Sequence, residues 1–483
     1  MNRRMVFFTV GQMVVIEAVL LLLPLAVSII YGESAAITAF AVTAAIACVA
    51  GALLMAVCRT KNKVIYAKEG FVIVALTWVV VSLIGAVPFV LSRDIPSYVD
   101  AFFETVSGLT TTGSSILTNV EALSHGALFW RSFSHWLGGM GVLVFIMAIV
   151  PNVSDRSIHI IRAEMPGPIV GKLVPKVKDT AKLLYLIYVV LTLVETVLLM
   201  AGGMNLFEGL VHSFGTAGTG GFGIKSTGIG GYSPYIQWVI TVFMILFGVN
   251  FNLYYLLLIR KFRTVAKNRE LWTYLSVIAV SVILISVNIY HIYGNVADTL
   301  RMSAFQVSAI VTTTGYSTCD FNLWPGFSRS LLFILMFVGG CAGSTAGGLK
   351  ISRVMLLFKM AKNEFLHLIH PRSVSVVKLE GKQVEAPVLH SVSNYFTLYV
   401  ICMCVAFALI SLFDPMDLET NITATVTCFN NVGPGLGKLV GPAGNFSAYS
   451  GASKIVLSFA MLFGRLEILP LMIAFIPSTW TKR

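Results

Sequence analysis

Charge is scarce in this sequence. Only 12% of its 483 residues are Asp, Glu, Lys or Arg, which is about half the charged fraction of an average soluble domain. An ordinary water-soluble fold is excluded, because 57% of the residues are hydrophobic and the mean hydropathy is +0.84. Apolar runs of roughly 20 residues are long enough to cross a bilayer. Ten runs are predicted to be membrane spans: residues 5–31, 36–58, 70–91, 127–150, 181–203, 234–259, 272–294, 328–358, 387–413 and 453–477.

Paired cysteines and nucleotide-binding motifs are also lacking. The seven cysteines include no C-x-x-C pair and lie mostly in apolar runs, which predicts packing rather than bridging. Gly218, Gly220 and Gly223 match G-x-G-x-x-G formally, but a dinucleotide site needs a preceding strand and a following helix. The segment GSTAGGLK lacks the spacing of a phosphate-binding P-loop. We therefore expect no nucleotide site in this chain, and no metal-ligand cluster or catalytic triad suggests an enzyme.

Positive charge is concentrated in alternate loops. A net charge of +12 is compatible with a nucleic-acid partner, but the basic residues occur in every second inter-span loop and at both termini. This distribution follows the positive-inside rule. It predicts a multi-pass membrane protein with both termini in the cytoplasm and no nucleic-acid binding.

The tetrapeptide T-T-T-G occurs twice, ending at Gly113 and Gly315. Each copy follows an apolar span and a segment of about a dozen residues that is too short to cross a bilayer, and each precedes another span. The same order recurs around GTAGTGGFG and FNNVGPGLG. Aligning Gly113, Gly220, Gly315 and Gly433 gives a repeat of roughly one hundred residues. The chain therefore divides into a two-helix N-terminal domain and four repeats: 1–66, 67–160, 161–268, 269–372 and 373–483.

The repeated loops predict a cation filter. A helix too short to span must end inside the membrane, where non-helical backbone is tolerated only if it is buried or lines a cavity. Four such loops around one axis would offer a ring of carbonyl oxygens that replaces the water around an alkali cation, and the negative C-terminal ends of the short helices would favour that cation. The predicted filter residues are Thr111, Thr112, Gly113, Thr219, Gly220, Thr313, Thr314, Gly315, Asn431, Val432 and Gly433.

Two further segments interrupt the predicted spans. Five glycines in GGCAGSTAGGLK should break the helix of span 328–358, since each costs roughly 0.8–1 kcal/mol relative to Ala; close packing through small-xxx-small spacing is the alternative. Lys350 would act as a positive plug or extend to the interface. Arg465 lies near the middle of the last span, where a charge must face a cavity or a partner. Directed into the pore, it would repel cations. Glu467 is a poor partner for it, because residues i and i+2 face apart on a helix.

Other polar residues within the spans have less definite roles. Glu17 is expected near headgroups or a neighbouring polar group, whereas Glu195 lies deeper with no evident partner. For Asn250 and Asn252, pore lining and interhelical hydrogen bonding are equally compatible with the sequence. The histidines beside the pore segments, His135 and His212, are better interpreted as structural than as a proton relay.

Together these motifs resemble the Trk/Ktr/HKT superfamily of cation transporters. The resemblance rests on LTTTGSS, GTAGTGGFG, VTTTGYST and FNNVGPGLG, on the second-span segments WLGGMG, GGCAGSTAGGLK and LFGRLE, and on RAEMPGP at 162–168. It extends essentially from end to end, and the two additional N-terminal spans resemble the Trk branch. The fold that it implies is an all-α polytopic membrane protein with four span–pore helix–filter–span repeats around a pseudo-fourfold pore.

The resemblance also implies a function. A glycine in all four filters is associated with K⁺, and a serine in the first with Na⁺ in some relatives, so Gly113 implies K⁺ uptake across a bacterial inner membrane. The family's gate would be the intramembrane loop: Gly339, Gly340, Gly343, Gly347, Gly348 and Lys350, with Arg465. The implied assembly is a homodimer bound to a cytosolic regulatory subunit with nucleotide-binding RCK domains, of the TrkA type.

Three rival functions differ from K⁺ uptake. A Na⁺-selective or Na⁺/H⁺-coupled transporter of the same fold stays open, because filter carbonyls alone do not decide K⁺ over Na⁺. A membrane enzyme would need a polar catalytic cluster, which the sequence does not offer. A passive structural subunit is disfavoured by four intact filter segments.

Overall fold

The computed structural model describes residues 1–60, 66–141, 177–372 and 376–480. These residues form helices almost throughout, together with one short antiparallel hairpin in which Lys378 pairs with Gln383, and the predicted all-α membrane fold is confirmed. The segment RAEMPGP at 162–168 lies outside the described residues. In chain order the elements are α1 (Arg3–Leu20), α2 (Leu22–Tyr31), α3 (Ser34–Val57), α4 (Ala67–Leu91), α5 (Tyr98–Leu109), α6 (His125–Gly139), α7 (Val177–Ala201), α8 (Leu206–Gly218), α9 (Pro234–Phe247), α10 (Phe251–Leu258), α11 (Phe262–Ala266), α12 (Arg269–Tyr293), α13 (Val296–Val311), α14 (Gly326–Val338), α15 (Ile351–Ile369), β1 (Lys378–Leu379), β2 (Lys382–Gln383), α16 (Ala386–Phe413), α17 (Leu418–Asn430), α18 (Gly451–Arg465), α19 (Leu469–Phe475) and α20 (Pro477–Trp480).

The first three helices pack as an N-terminal unit beside α4. Helices α1 and α3 approach so closely that a Cβ atom at Gly51 would lie 2.9 Å from the Gly11 carbonyl oxygen. Small residues that allow such backbone contact are typical of helix pairs in membranes. Glu17 lies on this unit, only 3% exposed and next to Gly85 and Trp130. The expectation that Glu17 reaches the headgroups is therefore wrong.

Six of the ten predicted spans are long apolar helices. Within the described ranges, six helices are long and apolar enough to cross a membrane, or seven if a bent pair is included. They correspond to the predicted spans 5–31, 36–58, 70–91, 181–203, 272–294 and 387–413, of which the last four are the outer helices α4, α7, α12 and α16 of the repeats.

A short helix follows each outer helix. These four pore helices, α5, α8, α13 and α17, contain 12 to 16 residues. At 1.5 Å per residue they are about 18–24 Å long, well short of the roughly 30 Å hydrocarbon core. Each begins after a residue whose side chain caps the helix N-terminus. Each also has an acidic residue in its first turn, where the negative charge interacts favourably with the positive end of the helix dipole. The caps are Ser97, Asn205, Asn295 and Asp417, and the acids are Asp100, Glu208, Asp298 and Glu419.

Three of the four helices that follow the loops, called here inner helices, are interrupted within the part of the chain that the structure describes. The predicted spans 234–259 and 453–477 are each divided between two helices: α9 and α10 are bent by 89° around Gly248, and α18 is separated from α19 by Glu467 and Ile468, both at positive φ. The expected break in 328–358 is confirmed as a loop between α14 and α15. The first inner helix, α6, ends at Gly139, and most of the rest of span 127–150 lies outside the described residues.

The pore and inner helices pack in cyclic order. Each pore helix contacts the inner helix of the preceding repeat: α8 packs on α6, α13 on α9, α17 on α14 and, closing the circle, α5 on α18. This arrangement brings the C-terminal ends of all four pore helices, and the loops that follow them, to the centre of the molecule.

Candidate functional site

The four pore helices end in the same backbone geometry. In each, the second or third residue after the helix donates its N–H to the carbonyl five residues earlier, a bond that closes a Schellman-type C-cap. The preceding loop residue has a φ near +55°. The bonds are Thr112 to Ser107 (2.9 Å), Gly220 to Gly215 (2.8 Å), Thr314 to Ala309 (2.8 Å) and Val432 to Thr427 (2.9 Å).

These caps fix the register of the repeats. The residues at positive φ that start the loops are Thr111, Thr219, Thr313 and Asn431, and a glycine at positive φ lies two residues later in each: Gly113, Gly221, Gly315 and Gly433. The sequence alignment through Gly220 is thus wrong by one residue in the second repeat. Gly220 occupies the place of Thr112, and Gly221 that of Gly113.

The four loops contact one another in a closed ring. A Cβ atom at Gly113 would lie 2.0 Å from the Gly220 carbonyl oxygen, and one at Gly221 would lie 2.0 Å from that of Thr314. The next two contacts complete the circle, from Gly315 to Val432 (2.0 Å) and from Gly433 to Thr112 (2.8 Å). Each glycine therefore adjoins the carbonyl that precedes the equivalent glycine of the next repeat. This close approach, together with positive φ, excludes any side chain there.

The side chain of Asn431 holds the loops together through hydrogen bonds. The Asn431 amide donates to the Thr112 hydroxyl and to the Met461 carbonyl, both at 2.9 Å, which ties the fourth loop to the first. The Asn431 Oδ1 and Thr111 Oγ1 atoms are buried without a hydrogen-bond partner in the described structure. Oxygens of this kind are the ligands that alkali cations use.

Both pore histidines have structural partners. His135 Nδ1 lies 2.7 Å from the Gly108 carbonyl oxygen, and its Nε2 accepts the Phe222 N–H at 3.3 Å, so the imidazole joins the end of α5 to the second loop. His212 Nε2 lies 3.2 Å from the Tyr232 hydroxyl. Tyr316, which follows the third glycine, donates to the His212 carbonyl at 3.1 Å. These contacts favour the structural interpretation of the two histidines.

A cavity of about 180 Å³ lies on one side of the ring, beside the segments that connect the ring glycines to the inner helices. We call it the vestibule. It is lined by the four ring glycines and by the segments that follow them, and it includes Arg131 and Lys225. The sequence did not indicate a role for either of these residues.

A buried ion pair supports the wall of the vestibule. The Arg131 guanidinium lies 2.7 Å from the Glu104 carboxylate, and their side chains are 2% and 0% exposed. Glu104 also accepts the N–H of Ile116 and the hydroxyl of Ser115. The pair thus joins α5, α6 and the first loop. Its two members lie 27 residues apart in sequence, so no local pattern predicted it.

Removing the charge of Glu104 is expected to destabilise the protein. Breaking a buried ion pair leaves an uncompensated charge and costs about 3–5 kcal/mol, so Glu104→Gln should strongly lower the thermal unfolding midpoint of the detergent-solubilised protein. The matched control is Glu419→Gln, because Glu419 pairs with Arg329 at a far more exposed site where about 0–1 kcal/mol is at stake. Equal midpoints for the two variants would contradict this assignment.

The loop of residues 339–350 lies against the opposite, helix-end side of the ring. Its Gly347 N–H donates to the Thr313 hydroxyl at 2.6 Å, and its Gly348 N–H to the Asn430 carbonyl at 3.1 Å. The loop leaves α14 at Gly339, whose φ of 72° and ψ of −175° suit essentially glycine alone. The glycines here thus form an irregular loop, and the alternative of helix packing within a continuous span is wrong.

Lys350 ends this loop and is 1% exposed. Its ammonium donates to the Ala346 carbonyl of the same loop, which excludes the alternative in which Lys350 extends to the membrane interface.

The loop of residues 339–350 also contacts the second inner helix, because the Cys341 N–H donates to the Gly248 carbonyl at 3.0 Å. Asn250 caps α10 by accepting the Asn252 N–H at 2.9 Å, so these two residues bond to each other at that break.

Arg465 joins segments of three inner helices. Its guanidinium donates to the Thr345 carbonyl at 2.8 Å, to the Gly139 carbonyl at 2.7 Å and to that of Gly138. The positive charge therefore lies between the end of α6, the end of α18 and the glycine-rich loop. Glu467 pairs with Arg353 at 2.6 Å, and Arg353 also lies over the Tyr395 ring.

Comparison with known proteins agrees with this architecture. The sequence profile of the TrkH family, described as a cation transport protein, matches residues 36–482. The Trk system potassium uptake protein TrkH of Salmonella typhimurium (strain LT2) is 36% identical over 100% of both chains, and that of Escherichia coli (strain K12) is 35% identical over the same share. The crystal structure of the potassium transporter TrkH from Vibrio parahaemolyticus matches with a TM-score of 0.88 and 31% identity over 100% of each chain. The chain therefore belongs to the TrkH family of cation transport proteins.

Proposed function

We propose that this protein mediates K⁺ uptake across the cytoplasmic membrane of a bacterium through a filter built from its four loops. The observation that carries the proposal is the closed ring of four loops in one register, each behind a helix too short to span. The names of the full-length relatives, which are potassium uptake proteins, support the same ion.

The filter would act through backbone oxygens. Carbonyls of residues such as Thr112, Gly220, Thr314 and Val432 adjoin the glycine of the preceding loop around the ring, where they would replace the hydration shell of a dehydrated cation. The C-terminal ends of the pore helices add partial negative charge at the same depth. Thr111 and Asn431 contribute side-chain oxygens that have no hydrogen-bond partner in the described structure.

The glycine-rich loop and Arg465 would form the gate. The loop is held against the filter by hydrogen bonds to Thr313 and Asn430, and the guanidinium lies at the same level. A fixed positive charge on the pathway repels K⁺ by several kcal/mol if it is poorly screened. Opening would require the loop to leave the filter and Arg465 to lose its three carbonyl partners.

The orientation is inferred from the basic loops, and the partners are inferred from the family resemblance. Both termini and the basic segments would face the cytoplasm, so the vestibule would face outward and the gate inward. The cytoplasmic surface would bind a regulatory subunit with nucleotide-binding RCK domains, and two copies of the chain would form a homodimer. The domain boundaries at residues 66, 160, 268 and 372 would separate the N-terminal pair of spans from the four repeats.

Uptake in living cells tests the proposed function. Expression in a bacterium that lacks its own K⁺ uptake systems, together with the cognate regulatory subunit, should restore growth at low external K⁺ and accumulate Rb⁺ in preference to Na⁺. A protein that reaches the membrane but transports Na⁺ and no Rb⁺ would refute K⁺ uptake and favour the Na⁺-selective alternative.

A further inference from the structure

The walls of the vestibule have an unexpected charge balance. Among the described residues that line it, two carry a positive charge, Arg131 and Lys225, and none is Asp or Glu. Rings of acidic side chains favour cations at the mouth of a pore, whereas basic side chains favour anions. A cation that enters the proposed filter through the vestibule would therefore meet positively charged side chains.

Among the described residues, Arg131 has a counter-charge within ion-pair distance and Lys225 has none. Arg131 is neutralised by the Glu104 carboxylate at 2.7 Å, and both side chains are almost fully buried. Lys225 forms no ion pair within 4.0 Å in the part of the chain that the structure describes. Glu121 accepts the backbone N–H of Ser226 at 3.2 Å and keeps its negative charge near this loop, but its carboxylate forms no ion pair with Lys225 among the described residues.

Lys225 is held at the vestibule wall. It follows Gly221 by four residues, so it belongs to the loop that forms the second quarter of the ring. Its ammonium lies 4.1 Å from the centre of the Tyr232 ring, a cation–π contact that fixes the charge without neutralising it. Tyr232 is itself anchored near His212 by the 3.2 Å contact between the hydroxyl and Nε2.

We propose that Lys225 is an electrostatic barrier that limits cation access to the filter, and thereby sets the KM for uptake. The inference rests on the proposed function and adds a residue that tunes it. A fixed charge at the mouth of a cleft lowers the local concentration of like-charged ions and slows their association. Salt weakens the effect, because the Debye length falls to about 8 Å at 0.15 M ionic strength.

The test is Rb⁺ uptake by intact cells that lack other K⁺ uptake systems, which presents the vestibule to the medium. Ionic strength is varied with an impermeant salt such as N-methylglucamine chloride. For Lys225→Gln we expect a KM for Rb⁺ that is lower by roughly twofold to tenfold at low ionic strength, and a smaller difference at about 0.15 M. Lys225→Arg, which keeps the charge and the ring contact, should retain the wild-type KM.

Two further measurements separate charge from structure. Lys438→Gln removes an exposed lysine from the fourth loop region that does not line the vestibule, and it should leave the KM unchanged. In the wild-type protein, raising the ionic strength alone should lower the KM, so the proposal stays testable even if a Lys225 variant fails to reach the membrane.

The outcomes distinguish the two proposals. Wild-type protein that takes up no Rb⁺ would refute the proposed function and, with it, this inference. Wild-type uptake whose KM is independent of ionic strength would refute the role of Lys225 alone. An equal change of KM in Lys225→Gln and Lys225→Arg would also refute it, because it would show that the side chain acts through packing.

Discussion

Gly221→Ser is expected to lower the ratio of Rb⁺ to Na⁺ flux by roughly tenfold or more, since a loss of 1.4 kcal/mol in preferential binding already corresponds to a factor of ten. Gly221 has a φ of +78°, and a Cβ atom there would lie 2.0 Å from the Thr314 carbonyl oxygen. The serine must displace that carbonyl or its own loop. Because selectivity depends on how the ring of carbonyls surrounds the ion, either displacement should relax it.

The measurement is ion flux into liposomes that contain the purified protein, with K⁺, Rb⁺, Na⁺ and Li⁺ compared. Gly113→Ser should have an equivalent effect, because Gly113 occupies the same position in the first repeat. The control is Gly223→Ser, two residues further along the same loop, where the nearest atom to a new Cβ would be 3.7 Å away. Similar loss of selectivity in Gly223→Ser and Gly221→Ser would contradict the register of the ring.

Arg465→Ala should raise the flux of the protein in the absence of its regulatory subunit by roughly tenfold or more. Two effects act in the same direction. A positive charge is removed from the pathway, where at an effective dielectric constant near 20 it opposes a cation 4 Å away by about 4 kcal/mol. The Thr345 carbonyl also loses its charged donor, which frees the glycine-rich loop.

Arg465→Lys separates these two effects. Lysine keeps the charge but not the planar fork that reaches several carbonyls at once. A flux close to that of the wild type would assign the barrier to charge, and a flux close to that of Arg465→Ala would assign it to anchoring of the loop. Unchanged flux in Arg465→Ala, with the protein folded and inserted, would contradict the assignment of Arg465 to the gate.

The repeat order and the short pore helices were predictable from sequence because each depends on local composition. The register of the second repeat was not. Thr219 is followed by two glycines, and the first completes the Thr-Gly pair that the other loops suggest. Only the C-cap bond from Gly220 to Gly215 and the positive φ of Gly221 show which glycine adjoins the next loop.

The helix breaks illustrate a second limit. Five glycines predicted the interruption between α14 and α15, since propensity alone disfavours a helix there. The break between α18 and α19 has a local contribution that the predicted span overlooked, because Pro470 lies in the first turn of α19 and cannot donate to the carbonyl of Leu466. The Arg353–Glu467 pair is a tertiary contact at the same break, and it joins residues that are 114 positions apart.

Charge pairing behind the loops is the third feature that could not be predicted from the sequence. Arg131 and Glu104 lie outside the filter segments and 27 residues apart, and a single loop lysine such as Lys225 forms no pattern that indicates a role. The cyclic packing of the repeats places Arg131 and Lys225 in the wall of one vestibule. Their electrostatic effects on the vestibule differ because Glu104 pairs with Arg131.

The most direct test of the central claim is to locate the ion. Crystals of the protein grown in RbCl should show anomalous scattering from Rb⁺ on the axis between the carbonyls of Thr112, Gly220, Thr314 and Val432. Rb⁺ sites found only outside this ring, with the ring itself well ordered, would show that the four loops are not the cation filter.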